Sequence, residues 1–231
     1  MALLHSLALL RQRLDLRLLA ISVDHGLRPE ASVEVDLVRR FAAELSVSFR
    51  SARLSLSPGS NIQARAREAR YEALSSITDE ELGTEAFLAT AHHAEDRAET
   101  VLLRLLRGTS VEGLGVLPPV AGRLVRPMVT AQKSDVLAHN ERHGIPSVRD
   151  PSNLDPRFLR VRVRRELLPL LEELSPGIVQ KLCSLAEDVS GEIPLGLNRE
   201  QRAQLRRALS DPEARTDVPL GRGLWLRKES T

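Results

Sequence analysis

A chain of 231 residues with 42% hydrophobic content is long enough for one sizeable domain with a buried core and a smaller appendage. Its single cysteine, Cys183, excludes an intrachain disulfide and any multi-cysteine zinc or iron–sulfur site, which fits a reducing cytoplasm. The net charge is only +2, yet just three of the 33 basic residues are lysine (Lys133, Lys181 and Lys228), and the arginine fork suits phosphate and carboxylate.

The chain opens on a helical stretch, about 1–14. Met1 to Leu10 is apolar but short, has no basic leader or small-residue cleavage site, and runs into Arg11, Arg13 and Asp15, so neither a signal peptide nor a membrane span is expected. A strand follows at Leu16–Asp24, apolar on both faces as a central parallel strand is. A helix from about Pro29 to Leu45, a strand at Val47–Leu56, a helix from Asn61 to Ile77, a strand at Ala86–Ala91 and a helix ending at Arg107 complete a βαβα rhythm. Beyond Gly108 come a Gly/Pro-rich loop to Pro119, a short apolar stretch at Leu124-Val125, a helix near Gln132–His143 and a loop from Gly144 to Pro156. The rest is patterned as helices at Phe158–Leu174, Gly177–Val189 and Arg199–Leu209, with a boundary expected near Ser175-Pro176-Gly177.

The segment His92-His93-Ala94-Glu95-Asp96-Arg97-Ala98-Glu99-Thr100 lies where a strand ends and a helix begins, the place where open α/β sheets keep their active sites. Asp96 and Glu99 are neighbours on such a helix. Near its positive end they can hold an ammonium group or Mg²⁺, or, with Glu95, simply cap the first turn.

Five ordered stretches together resemble the tRNA(Ile)-lysidine synthetases of the PP-loop ATP pyrophosphatase superfamily. They are Val23-Asp24-His25-Gly26-Leu27-Arg28; Asn61 to Tyr71; His92 to Thr100 continuing into Leu105–Thr109; Leu124-Val125-Arg126-Pro127; and Asp150–Asp155. The resemblance implies an α/β fold with a parallel, doubly wound sheet of the adenine nucleotide alpha hydrolase type, followed by a helical linker. It divides the chain into a catalytic domain, 1–176, and a linker with the start of a tRNA-binding region, 177–231. The implied reaction is ligation of free lysine to C2 of the wobble cytidine of a tRNA(Ile) with a CAU anticodon, through an adenylated intermediate formed from ATP.

By the same resemblance His92, Asp96, Glu99 and Arg67 carry the catalysis, Asp96 and Glu99 by holding the cationic lysine. Asp24, His25, Arg28 and Arg70 flank ATP. Arg107, Arg126, Asn153, Arg160 and Arg164 meet tRNA, the last two within Arg157–Arg165, where five of nine residues are arginine and phosphate contact is expected. Mg²⁺ is expected with the ATP phosphates, though the sequence assigns it no ligands. A cytoplasmic location, no membrane association and a homodimer as the assembly to test complete the expectations. Turn and solvated-face roles stay open for His25, Arg67 and Arg70, as do ion pairs from the arginine run to Glu166, Glu172 and Glu173, and core packing for Trp225.

The pattern departs from the family at three positions. Glu95 stands where an aspartate is usual, Arg97 where glutamine is, and Val161 where asparagine is. Moreover, the family's first strand and SGGxDS phosphate loop precede a helix that begins like Met1–His5, so the sheet is expected to lack its first strand and the chain its ATP phosphate loop. A tRNA-binding remnant without catalysis is therefore the alternative to the ligase. A related tRNA thiolase is disfavoured, because thiolation usually uses paired cysteines.

Overall fold

The computed structural model describes residues 1–24, 31–54, 62–147, 155–190, 217–221 and 224–227. The chain forms two compact units, one of Met1–Asp96 with Pro119–Val161, the other of Arg97–Pro118 with Arg162–Thr231.

In the first unit, β1 (Leu19–Asp24) and β2 (Ser48–Arg53) pair in parallel, Leu19 opposite Ser48 through Asp24 opposite Arg53. Parallel neighbours need a crossover, and α2 (Ala31–Glu44) supplies it. Ala20, Ala42 and Val47 form a small core against which Leu4 and Ala8 of α1 (Ala2–Leu10), Leu18, Leu45 and Phe49 pack. The strand starts at Leu19 rather than Leu16 because the chain first turns through Asp15 at φ +49, with Leu16 N–H bonded to Arg11 O at 2.8 Å. Of β1 only Ala20 is fully buried, fewer than its apolar run suggests. Among the described residues it has a single strand neighbour, β2.

After α3 (Ile62–Leu82), β3 is only Leu88–Ala89. It runs parallel to β5 (Leu124–Val125), and β4 (Val120–Ala121) adds antiparallel to β5, so this second ladder is mixed rather than wholly parallel. Arg123 in the β4–β5 turn donates to Ala86 O at 2.8 Å and pairs with Asp79 at 2.6 Å, fastening the turn beside the end of α3. α5 (Lys133–Arg142) opens with a capping box between Gln132 and Asp135.

α4 (Ala94–Arg107) begins in the first unit and continues in the second, where Ala98, Val101, Leu102 and Leu103 are buried. The second unit also holds α8 (Ile178–Ser190), which buries Val179, Leu182, Cys183 and Ala186. The helix that enters this unit at Arg162 is not uniform: α6 (Leu159–Arg162) widens to a π turn over Val163–Leu167 before α7 (Leu168–Leu174). Pro169 explains this. It has no N–H for the carbonyl four residues back, and its ring would collide with that carbonyl in a regular α-helix. β6 (Asp217–Gly221) and β7 (Leu224–Arg227) form an antiparallel hairpin. The helix expected at Arg199–Leu209 lies outside the described residues, as do the side chains of the hairpin, Trp225 included.

Candidate functional site at the start of α4

The two-residue strand β3 releases the chain toward α4 through Thr90 and Ala91. Thr90 Oγ1 lies 2.9 Å from His92 Nδ1, fixing one face of that half-buried imidazole. His93 is the residue before the helix, and its N–H donates to Asp96 Oδ2 at 3.1 Å, so Asp96 does cap the first turn. The His93 ring lies between Glu95 Oε2 at 2.9 Å and Asp96 Oδ2 at 3.4 Å. Glu95 has a different duty: both its oxygens accept the Lys133 N–H, at 3.0 and 2.9 Å, at the first residue of α5. Asp96 Oδ1 also faces Arg160 Nη2 at 3.5 Å.

The charges around His92 are mixed. Burial is the largest influence and holds the imidazole below its ordinary range; Asp96 opposes this, and Arg126, Arg67 and Arg160 reinforce it. The ring is thus biased toward its neutral form while a carboxylate and three guanidinium groups share its surroundings.

Arg67 is exposed on α3 and stacks over Tyr71 at 5.1 Å, and Arg70 is exposed one turn on. Arg126, at 5% exposure, is a buried side chain just after β5. Asp24 closes β1, its carboxylate 3.8 Å from Arg53. His25, Arg28 and Asn153 lie outside the described residues.

Glu99 lies in the second unit. It is buried and receives Arg164 through a two-point fork. The arginine run therefore does not pair as a simple solvated helix: Arg160 faces Asp96, Arg164 takes Glu99, and Arg162 makes the expected type of pair, with Glu166 at 3.0 Å. Arg107 is exposed at the end of α4.

A family model described as the PP-loop domain matches residues 1–171. The chain belongs to the PP-loop family. Among its relatives are proteins named tRNA(Ile)-lysidine synthase from Pseudomonas syringae pv. tomato, 38% identical over 80% of this chain and 42% of its own length, and from Bradyrhizobium sp., 39% identical over 80% and 53%. A third, from Rhodopseudomonas palustris, is 43% identical over 67% of this chain and 45% of its own length. The chain thus spans about half the length of these relatives. The fold of U34-tRNA thiolase NcsA from Methanococcus maripaludis, a structure with a [4Fe-4S] cluster, superposes with a TM-score of 0.64 at 20% identity, over 83% of this chain and 70% of that one. This agrees with the α/β architecture of a PP-loop protein.

Within this PP-loop chain one residue escaped sequence reasoning. Arg97 is 0% exposed; Nε donates to Val116 O at 3.0 Å and Nη1 to Glu187 Oε1 at 2.9 Å. It ties α4 to α8 within the second unit. The signal was its substitution for the family's glutamine, a polar group of less reach and no charge. No helix among the described residues is long and apolar enough to cross a membrane.

Proposed function

We propose that this protein provides the PP-loop part of a tRNA-modifying ligase, which uses ATP to join lysine to C2 of the wobble cytidine in a CAU anticodon of tRNA(Ile). The observation that carries this reading is the composition of His92's surroundings: a neutral-biased imidazole, a carboxylate and three arginines at the start of one helix. In the first step the C2 oxygen attacks the α-phosphorus of ATP and pyrophosphate leaves. In the second the lysine ε-nitrogen attacks C2, and AMP departs with that oxygen. The ε-amine must shed a proton to attack, and a neutral imidazole can accept it. Asp96 and Glu99 attract the ammonium form, and Arg67 balances charge on the transferring phosphoryl group. Asp24 and Arg70, with His25 and Arg28 outside the described residues, flank the nucleotide.

Among the described residues no three His, Cys, Asp or Glu side chains converge on a metal position. Magnesium accordingly enters with the ATP phosphates that bind it, and no residue of this chain is assigned to it. Arg107 and Arg160 are the exposed arginines offered to tRNA phosphates; Arg126 acts from within, beside His92. Asn153 completes the proposed tRNA set, while Arg164, also expected there, has its guanidinium engaged by Glu99. The cytoplasm supplies ATP and tRNA together, and a homodimer is the assembly to look for.

Labelled lysine incubated with the protein, ATP and a CAU-anticodon tRNA transcript tests the reading. Incorporation should require ATP and be matched by AMP release. A protein that binds the transcript yet incorporates no lysine and releases no AMP supports the alternative, a tRNA-binding form without catalysis.

A further inference from the structure

On α3, Arg67 and Tyr71 stand four residues apart and share one helix face. The Arg67 guanidinium carbon lies over the Tyr71 ring, 5.1 Å from its centroid. Tyr71 is half-buried and Arg67 exposed, so the ring is the anchored member of the pair. Other arginines are held differently. Arg157 pairs with Asp155, Arg162 with Glu166 and Arg164 with Glu99, so N–H donors of each are spent on a carboxylate. Arg67 has no ion pair or hydrogen bond among the described residues, and the Tyr71 ring is its contact. An aromatic face attracts the charge without drawing the guanidinium donors into conventional hydrogen bonds. The charge of Arg67 also reaches His92, where it acts with Arg126 and Arg160 against Asp96.

We propose that Tyr71 is a positioning residue for the ligase reaction: its ring holds the Arg67 guanidinium within electrostatic reach of His92 by a cation–π contact, and leaves the N–H donors to a phosphoryl oxygen of the substrate. The use of those donors rests on the function proposed above; the hold of Tyr71 on Arg67 does not. A long exposed arginine loses rotamer freedom when it meets a charged group, and one already stacked has given up much of that freedom on folding. The charge is then in place when the phosphoryl group transfers, which is when a fixed cation acts most strongly. An acid at position 71 would hold Arg67 too, but it would take the donors and cancel the charge. The contact is with the ring, so a phenyl group suffices, whereas an aliphatic side chain of similar bulk lacks the negative face.

Ring-carbon NMR titration of His92 tests the hold directly. Arg67→Gln removes the charge and should raise the His92 pKa, with Asp96, Arg126 and Arg160 left in place. Tyr71→Leu should raise it in the same direction, and Tyr71→Phe should leave it where it is. In the ATP-dependent reaction with lysine and a CAU-anticodon tRNA, Tyr71→Leu should lower kcat about two- to fivefold with the lysine KM unchanged, while Tyr71→Phe keeps kcat. Adding Tyr71→Leu to Arg67→Gln should cost nothing further, since the two side chains act as one. The proposal is overturned if His92 titrates in Tyr71→Leu as in the unaltered protein, if Tyr71→Phe falls as far as Tyr71→Leu, if the losses of Tyr71→Leu and Arg67→Gln add, or if Tyr71→Leu costs an active enzyme nothing. A protein that shows the titration pattern but no lysine incorporation supports the hold of Tyr71 on Arg67 and refutes the ligase reading instead.

Discussion

Arg164 grips Glu99 at two points, Nε to Oε1 at 2.5 Å and Nη2 to Oε2 at 2.9 Å, and the carboxylate so held is 1% exposed. A planar fork satisfies both oxygens at once, which a lysine ammonium cannot do. Any cation that is to use Glu99 must therefore compete with this arginine or share the carboxylate with it.

Arg164→Ala should destabilise the protein by about 3 kcal/mol, because it strands a buried carboxylate. Arg162→Ala removes an exposed pair with Glu166 one turn away and should cost under about 1 kcal/mol. Urea unfolding of the two variants side by side checks this; equal midpoints would show that Glu99 does not depend on its partner.

Arg160 and Arg164 should part company toward nucleic acid. Arg160 is 44% exposed and 3.5 Å from Asp96, so Arg160→Ala should weaken all tRNAs alike and flatten the slope of log K against log salt by about one. Arg164→Ala, which removes a guanidinium already committed to Glu99, should leave that slope in place. Filter binding of CAU and non-CAU tRNAs across several salt concentrations gives both slopes, and preserved anticodon discrimination is expected throughout.

Asp96→Asn should raise the lysine KM far more than the ATP KM, since the amide keeps the hydrogen-bonding capacity that caps α4 but loses the charge that attracts an ammonium group. Glu99→Gln should behave likewise. An unchanged lysine KM in both variants would remove these acids from the substrate site.

His92 should titrate below the ordinary imidazole range, and Asp96→Asn should lower it further by deleting the one opposing influence. The neutral ring is favoured in the folded state, so the unfolded chain binds more protons between the two pKa values. The stability linked to His92 is fully present above pH 6.5 and is lost as pH falls through the depressed folded value. His5 and His139 are lowered in the same sense and add to the loss. Ring-carbon NMR titration reads each group directly, and unfolding midpoints at pH 7.5 and 5.5 read the sum.

Gly115→Ala should cost about 1–3 kcal/mol. A Cβ at this position would stand 2.9 Å from Ser190 Oγ and 3.3 Å from both Ser190 Cα and N, where backbone at the end of α8 cannot easily give way. Ser190→Gly should recover little of the cost, because it removes the hydroxyl and leaves those backbone atoms.

The crossover β1–α2–β2 and the start of α4 were legible because they rest on local signals: apolar runs of strand length, a periodic helix and acids in its first turn. The six-residue strand expected at 86–91 was not so simple. Phe87 there is exposed and only Leu88–Ala89 form a ladder, since apolar character does not say whether a partner strand is within reach. Charged residues were the least legible. Arg97 is buried against Val116 and Glu187 and Glu99 against Arg164, partners 19 to 90 residues away in sequence that helical periodicity does not show, and the burial of Arg126 is likewise not written in its local segment. The π turn also eluded a pattern that treats Phe158–Leu174 as one regular helix, although Pro169 is a visible cause.

Glu95 and Asp96 look like a repeated letter, two acids in a row, and substituting one acid for the other would pass as conservative. Their carboxylates serve different masters: Asp96 turns back to the N–H of His93, while Glu95 reaches forward to the N–H of Lys133, 38 residues on. The extra methylene in Glu95 is a span across the gap between two helix origins. Swapping the order of the two residues would conserve composition and charge, yet it would shorten the bridge on one side and crowd it on the other. In this stretch side-chain length, as much as acidity, is the inherited information.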